Sequence, residues 1–146
     1  MSDGVFNIAK GSVVEKIRDA STNVLLLLLK ANEAETALVD HDNVSVLLGA
    51  AGNTEADFTN YARKTGLTGT ITVDDSNDRV DVDLPDQAFI SAGGALNNTL
   101  TKAVVAYEES ATDTGRVPLT HHDFAATTDG SDLTLQVNAA GFYRAA

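Results

Sequence analysis

The stretch Asp74-Asp75-Ser76-Asn77-Asp78-Arg79-Val80-Asp81-Val82-Asp83-Leu84-Pro85-Asp86 contains a strand whose orientation can be read directly. Val80, Val82 and Leu84 alternate with Asp81 and Asp83, and a two-residue period puts the apolar set on one face and the carboxylates on the other. Pro85 lacks the N–H that a ladder needs, so the strand ends there. The polar residues before Arg79 form a turn back to a strand over 70–73, which makes this a hairpin of a soluble sheet with one wet, acidic face. It supplies no reactive group.

Downstream of residue 53 the chain keeps this character. Short apolar runs separated by turn residues predict strands over 60–65, 70–73, 79–84, 88–91, 102–108, 117–119, 123–127, 133–137 and 142–144. Residues 102–107 are apolar on both faces, as in a central strand, and Leu133, Leu135 and Val137 face inward while Thr134 and Gln136 face out. Asp129-Gly130, a favoured turn pair, predicts a second hairpin joining 123–127 to 133–137. Gly93-Gly94 and residues 112–115 read as surface loops.

Upstream, Ser12 and Glu15 have the spacing of a capping box, and Val13, Ile17 and Ala20 recur at helical spacing, predicting a helix over 12–20. The strand over 23–30 follows; its intensely apolar part, 24–29, is far shorter than the roughly 20 residues of a membrane span and reads as buried on both faces. Asn32 and Glu35 repeat the capping spacing and predict a helical turn over 33–39, and a second turn over 44–48 closes at Gly49 or Gly52. The expected fold is therefore mainly β: one domain over 1–146, a β-sandwich or jelly-roll-like body with an N-terminal helix and short helical turns. Residues 1–10 form an N-terminal arm, 12–52 a helix-strand-turn segment and 53–146 the antiparallel β-rich body.

Charge and composition exclude several function classes. Twenty-one acidic against ten basic residues give a net charge of −11, and the basic residues are scattered, so phosphate-backbone binding is not expected. With no cysteine there is no disulfide, thiolate metal site or cysteine nucleophile. The N-terminus lacks the basic region of a signal peptide, and no membrane partner is expected.

The remaining motifs each have a plain reading. Asp75 and Asn77 occupy the first two places of a calcium loop, but Arg79 stands third and no glycine follows, so Asp74–Asp78 reads as a solvated turn with no metal. His121 and His122 are strand neighbours pointing to opposite faces, cannot share one ion and read as half-exposed. His41 lies far from them in sequence, with no supporting pattern around it. Gly49-Ala50-Ala51-Gly52 lacks the Lys and Ser/Thr of a phosphate loop. No catalytic residue and no cofactor is expected, so the enzyme class, a hydrolase using His121 or His122, has no positive support.

Several segments carry a likeness: Phe6-Asn7-Ile8-Ala9-Lys10-Gly11, NTEADFTNYARK at 53–64, NDRVDVDLPDQ at 77–87, NNTLTKAVVAY at 97–107, and 117–144 with VPLTHHDFAATTDGSDLTLQV and AAGFYR. In their order these resemble small virion proteins of tailed bacteriophages that are encoded among head genes. The resemblance implies a non-enzymatic capsid decoration (cement) protein on the outer surface of the head, with the major capsid protein and neighbouring copies as partners. A minor head–tail connector or tail component is the alternative. A sugar- or ligand-binding β-sandwich module is carried beside it, because a sandwich fold does not decide function.

The arm supplies the candidate contact residues. Val5, Phe6 and Ile8 are apolar and precede the Ser12 cap, so they need a cover, either a partner surface or an edge position on the protein's own sheet.

Overall fold

The computed structural model describes residues 3–19 and 21–146. Met1 and Ser2 of the expected arm, and Ala20 at the end of the expected helix, lie outside them.

The run of leucines is the centre of the molecule. Val24–Ala31 (β2) pairs along its length with Thr99–Glu108 (β8), from Val24 opposite Tyr107 to Leu29 opposite Lys102. Arg116–Thr127 (β9) lies beyond β8, and Gly4–Val5 (β1) pairs with β9 at His121 and Thr120. The other edge of β2 is shared by two short strands, Thr54–Glu55 (β3) and Lys64–Leu67 (β4). In the gap between them the ladder is completed by side chain and loop: Leu28 N–H donates to the Tyr61 hydroxyl at 3.1 Å, and Ala56 N–H donates to Leu28 O at 2.9 Å. Two smaller antiparallel sheets complete the fold. Thr70–Asp74 (β5), Arg79–Asp83 (β6) and Tyr143–Ala145 (β11) form one, with β6 central, and Gln87–Phe89 (β7) pairs with Leu133–Leu135 (β10) in the other. The fold is mainly β, with three short α-helices among the described residues: Val13–Asp19 (α1), Glu35–Leu38 (α2) and Val44–Gly49 (α3).

Register sorts the large sheet into two buried faces. Leu26, Ala103, Val105 and His122 share one face, covered by Leu84 after β6, Leu135 of β10, Phe142 and, through Ile17, α1. Leu27, Val104 and His121 share the other, covered by Phe6, the 3-10 turn Asn7–Ala9 and the short helices α2 and α3. This double cover explains why every residue from Val24 to Leu29 is at most 1% exposed and why no alternation appears in that run.

The β5–β6 hairpin forms as the opening stretch requires, with Val82 and Leu84 buried and Val80 half-buried. Leu133, Leu135 and Val137 face inward as expected. Other expectations are corrected. Residues 117–119 and 123–127 belong to one strand, β9, and β8 accommodates it through register shifts on either side of 102–105. The strand expected over 60–65 is displaced to β4, because Asn60 adopts φ +70° and Tyr61 N–H closes a turn onto Phe58 O. The hairpin expected at Asp129-Gly130 does not join β9 to β10. β9 is already paired with β8 and β1, and Gly130 N–H donates to Ala92 O at 2.7 Å, sending the chain to β7. Gly93 is buried rather than on the surface, with φ +94° and an added Cβ only 2.1 Å from Asn97 Oδ1.

Two caps also differ. Asn32 does not cap the next turn; α2 begins two residues later, at an N-cap of Ala34, and Asn32 Nδ2 donates to Glu33 O. The Ser12 hydroxyl donates back to Ala9 O at 3.2 Å, while its carbonyl accepts the first helical bond from Lys16. The arm folds onto its own sheet. Phe6 is fully buried and Val5 half-buried, so of Val5, Phe6 and Ile8 only Ile8, 45% exposed, remains at the surface.

Candidate functional site

Chemistry-bearing side chains gather on both sides of β9, because its alternation splits neighbouring histidines. His121 points into the helical layer and is 1% exposed, which corrects the half-exposed reading. Its ring meets Phe6 edge-on at 5.7 Å, and Gly4 passes so close to Nε2 that no other residue would fit there. Its Nδ1 is buried with no hydrogen-bond partner among the described residues. Burial, above all, pushes its pKa below the ordinary histidine value, and the positive Lys102 adds to this against the pull of Glu35 and Asp3. Beside it, Lys102 is only 2% exposed, and its ammonium sits 2.5 Å from both Glu35 and Asp123. Burial opposes that charge, but the two carboxylates outweigh it and hold the lysine above its usual value.

On the opposite face, His122 borders a cavity of about 300 Å³ between the large sheet and the two small ones. Nε2 of His122 lies 2.9 Å from the Thr120 hydroxyl and Nδ1 lies 3.4 Å from Asp3. Asp3 in turn accepts Asp123 N–H at 3.0 Å. Hydroxyl, imidazole and carboxylate thus follow the order of a catalytic triad. Thr120, however, is only 2% exposed, and the hydrogen bonds orient the His122 ring.

The other candidates are tied into hydrogen bonds and ion pairs of their own. Asn77 Nδ2 donates to Asp74 Oδ2 at 2.8 Å and Arg79 pairs with the same carboxylate at 3.1 Å, so the 74–78 turn is tied within itself. Among the described residues no cluster of His, Cys, Asp and Glu has metal-ligand spacing. His41, read as isolated, is hydrogen-bonded to Glu33, and Asn53 joins them while donating to Leu47 O at 2.9 Å. Gly52 abuts Glu33 Cβ, a packing role. Arg63, which no sequence pattern singles out, makes paired bonds to Glu55 and to Asp113, and Arg116 joins Asp113 to Glu108. Lys102 did carry a signal, a lone cation opening a strand apolar on both faces. Arg63 carried none, because its partners lie 8 and 50 residues away.

Every aromatic side chain is buried or half-buried. What the surface does expose is aliphatic: Val46, Val73, Ile90, Leu96 and Ile8 are 45–62% exposed. No helix among the described residues is long and apolar enough to cross a membrane. Comparisons of the chain with protein-family models, with curated proteins and with solved structures return no match.

Proposed function

We propose that the protein is a non-enzymatic structural component of a tailed-bacteriophage virion, a decoration protein that binds the outer surface of the head and stabilises the shell. The observation that carries the non-enzymatic part is how the deepest ionisable groups are used. Lys102, Arg63 and His41 are each turned onto carboxylates that hold elements together, and His121 packs as an apolar ring. The virion assignment rests on the likeness of the segments at 6–11, 53–64, 77–87, 97–107 and 117–144 to small phage head proteins. A net charge of −11 favours the outside of the shell, since packaged DNA would repel it.

The attachment surface is placed on Ile90 and Leu96 in addition to Ile8. Both flank loops fixed to one turn: Thr59 N–H donates to Leu96 O at 3.0 Å, Leu96 N–H to the Thr59 hydroxyl at 2.9 Å, and Asn60 Nδ2 to Ser91 O at 2.9 Å. An apolar side chain held on a rigid loop binds without a large ordering cost. The partners are the major capsid protein and neighbouring copies, and a small symmetric oligomer would cover these side chains. Quantitative mass spectrometry of purified virions tests the proposal. A copy number that is a simple fraction of the major capsid protein supports it, and absence from washed particles refutes it.

A further inference from the structure

The cavity beside His122 lies outside that attachment surface. Its inner wall is apolar: Leu26, Leu84 and Val105 are at most 3% exposed, and Ala103, Leu135 and Phe142 complete it. The small Ala103 leaves room in this wall, and the 138–141 turn closes one side of the space. In that turn Gly141 N–H donates to Asn138 O and an added Cβ at Gly141 would lie 2.3 Å from Val82 O. At about 300 Å³ the space is at the small end of ligand clefts, which run from roughly 300 to 1,000 Å³.

The rim carries carboxylates. Asp123 borders the space, but its carboxylate is bonded to Lys102, so the carboxylate open to a ligand is that of Asp3, which also faces His122 Nδ1 at 3.4 Å. The Asp3 side chain is 63% exposed and accepts one backbone N–H, which leaves lone pairs directed to solvent. Asp86, whose Oδ1 accepts Val137 N–H at 2.8 Å, adds a second carboxylate near the rim. Among the described residues no lysine or arginine lines the space. Phe142 and Phe124 border the same region, and an aromatic ring face attracts a cation.

We propose that this cleft is a binding site for a small organic ammonium, an aliphatic or arylalkyl primary amine, with its apolar chain between the sheets and its NH₃⁺ on Asp3. A carboxylate ligand would meet like charge at Asp3, and a neutral one would leave Asp3 without the charge-assisted bond. The function proposed above does not depend on this site.

The test is a titration of the full chain, followed by methyl and amide NMR, with n-hexylammonium, n-hexanol and n-hexanoate. Expected is saturable binding of the ammonium that shifts Leu26, Val105 and Leu135 methyls, at least tenfold tighter than the alcohol, with hexanoate weakest. Asp3→Asn should reduce ammonium affinity to that of the alcohol and leave alcohol binding unchanged. Ala103→Leu, which fills the cleft, should remove binding of both. Its spectrum reports whether it is folded, and Asp3→Asn, on the exposed rim, tests the site even if that variant does not fold. Equal affinity for ammonium and alcohol, shifts confined to other surfaces, or ammonium binding unaffected by Asp3→Asn would each overturn the proposal.

Discussion

His121 is a buried polar residue treated by its surroundings as a hydrocarbon ring, and this has a pH consequence. In the unfolded chain a histidine protonates near pH 6.5, whereas burial depresses the pKa of His121 in the folded protein. The folded state therefore binds fewer protons. Its contribution to stability is complete above about pH 6.5 and is lost as pH falls toward the depressed folded value, at up to about 1.4 kcal/mol per pH unit. The carboxylates of Asp113 and Glu33 are held below their usual range, so their contribution persists to lower pH and is lost only below about pH 4. Urea midpoints measured between pH 7 and 5 should fall in the native protein and fall much less in His121→Phe. Equal slopes in both would show that the pKa of His121 is not depressed in the fold. Arg63 gives a second residue-level expectation. Its guanidinium bridges two elements through four bonds, and truncating it leaves Glu55 and Asp113 partly buried without that partner. Arg63→Ala should cost about 2–4 kcal/mol, with Arg63→Lys intermediate because an ammonium cannot make both paired contacts.

Elements in this chain were legible where their pattern is local and opaque where it depends on a distant partner. β2 and β8 announce themselves because a strand covered on both faces must be apolar on both, and β6 because valine and aspartate alternate in five residues. The β5–β6 turn was readable from its own polar residues. The partner of β10 was not. A turn pair at 129–130 suits a hairpin, but whether the preceding strand has a vacant edge depends on residue 4, more than 100 positions earlier. Two-residue strands such as β1 and β3 have no period to detect. The candidate site divides in the same way. The split of His121 and His122 to opposite faces, and the place of Thr120 beside His122, follow from alternation, while Asp3 comes from folding the arm back along β9 and the cleft from packing the small sheets on the large one. That return also changes what truncation should do. Phe6 is fully buried against His121, so Phe6→Ala should cost about 3–5 kcal/mol in denaturant unfolding, whereas Ile8→Ser at 45% exposure should stay within about 0.5 kcal/mol. If both substitutions are neutral, the arm is not part of the core.

At the scale of the molecule, the decoration role proposed above would have a β-rich body with a charge of −11 meet the shell and its neighbours through its exposed aliphatic side chains. Ile90→Ser with Leu96→Ser should leave the melting temperature within a few degrees, since both side chains are already exposed, and should lower occupancy on the shell several-fold. Undiminished occupancy would move the attachment surface elsewhere. Repulsion between adjacent acidic copies should make loading rise as salt increases from about 10 mM to 150 mM, over which the screening length falls from roughly 30 to 8 Å. A structural role on the outside of a phage head is tested most directly by a cryo-electron microscopy reconstruction of the intact virion at a resolution that separates strands. Such a role predicts ordered density on the outer face of the shell into which the six-stranded sheet and its helical cover fit, with the 90–96 loop against the shell or a neighbouring copy. Density for this chain inside the head, in the tail, or nowhere on the particle would contradict it.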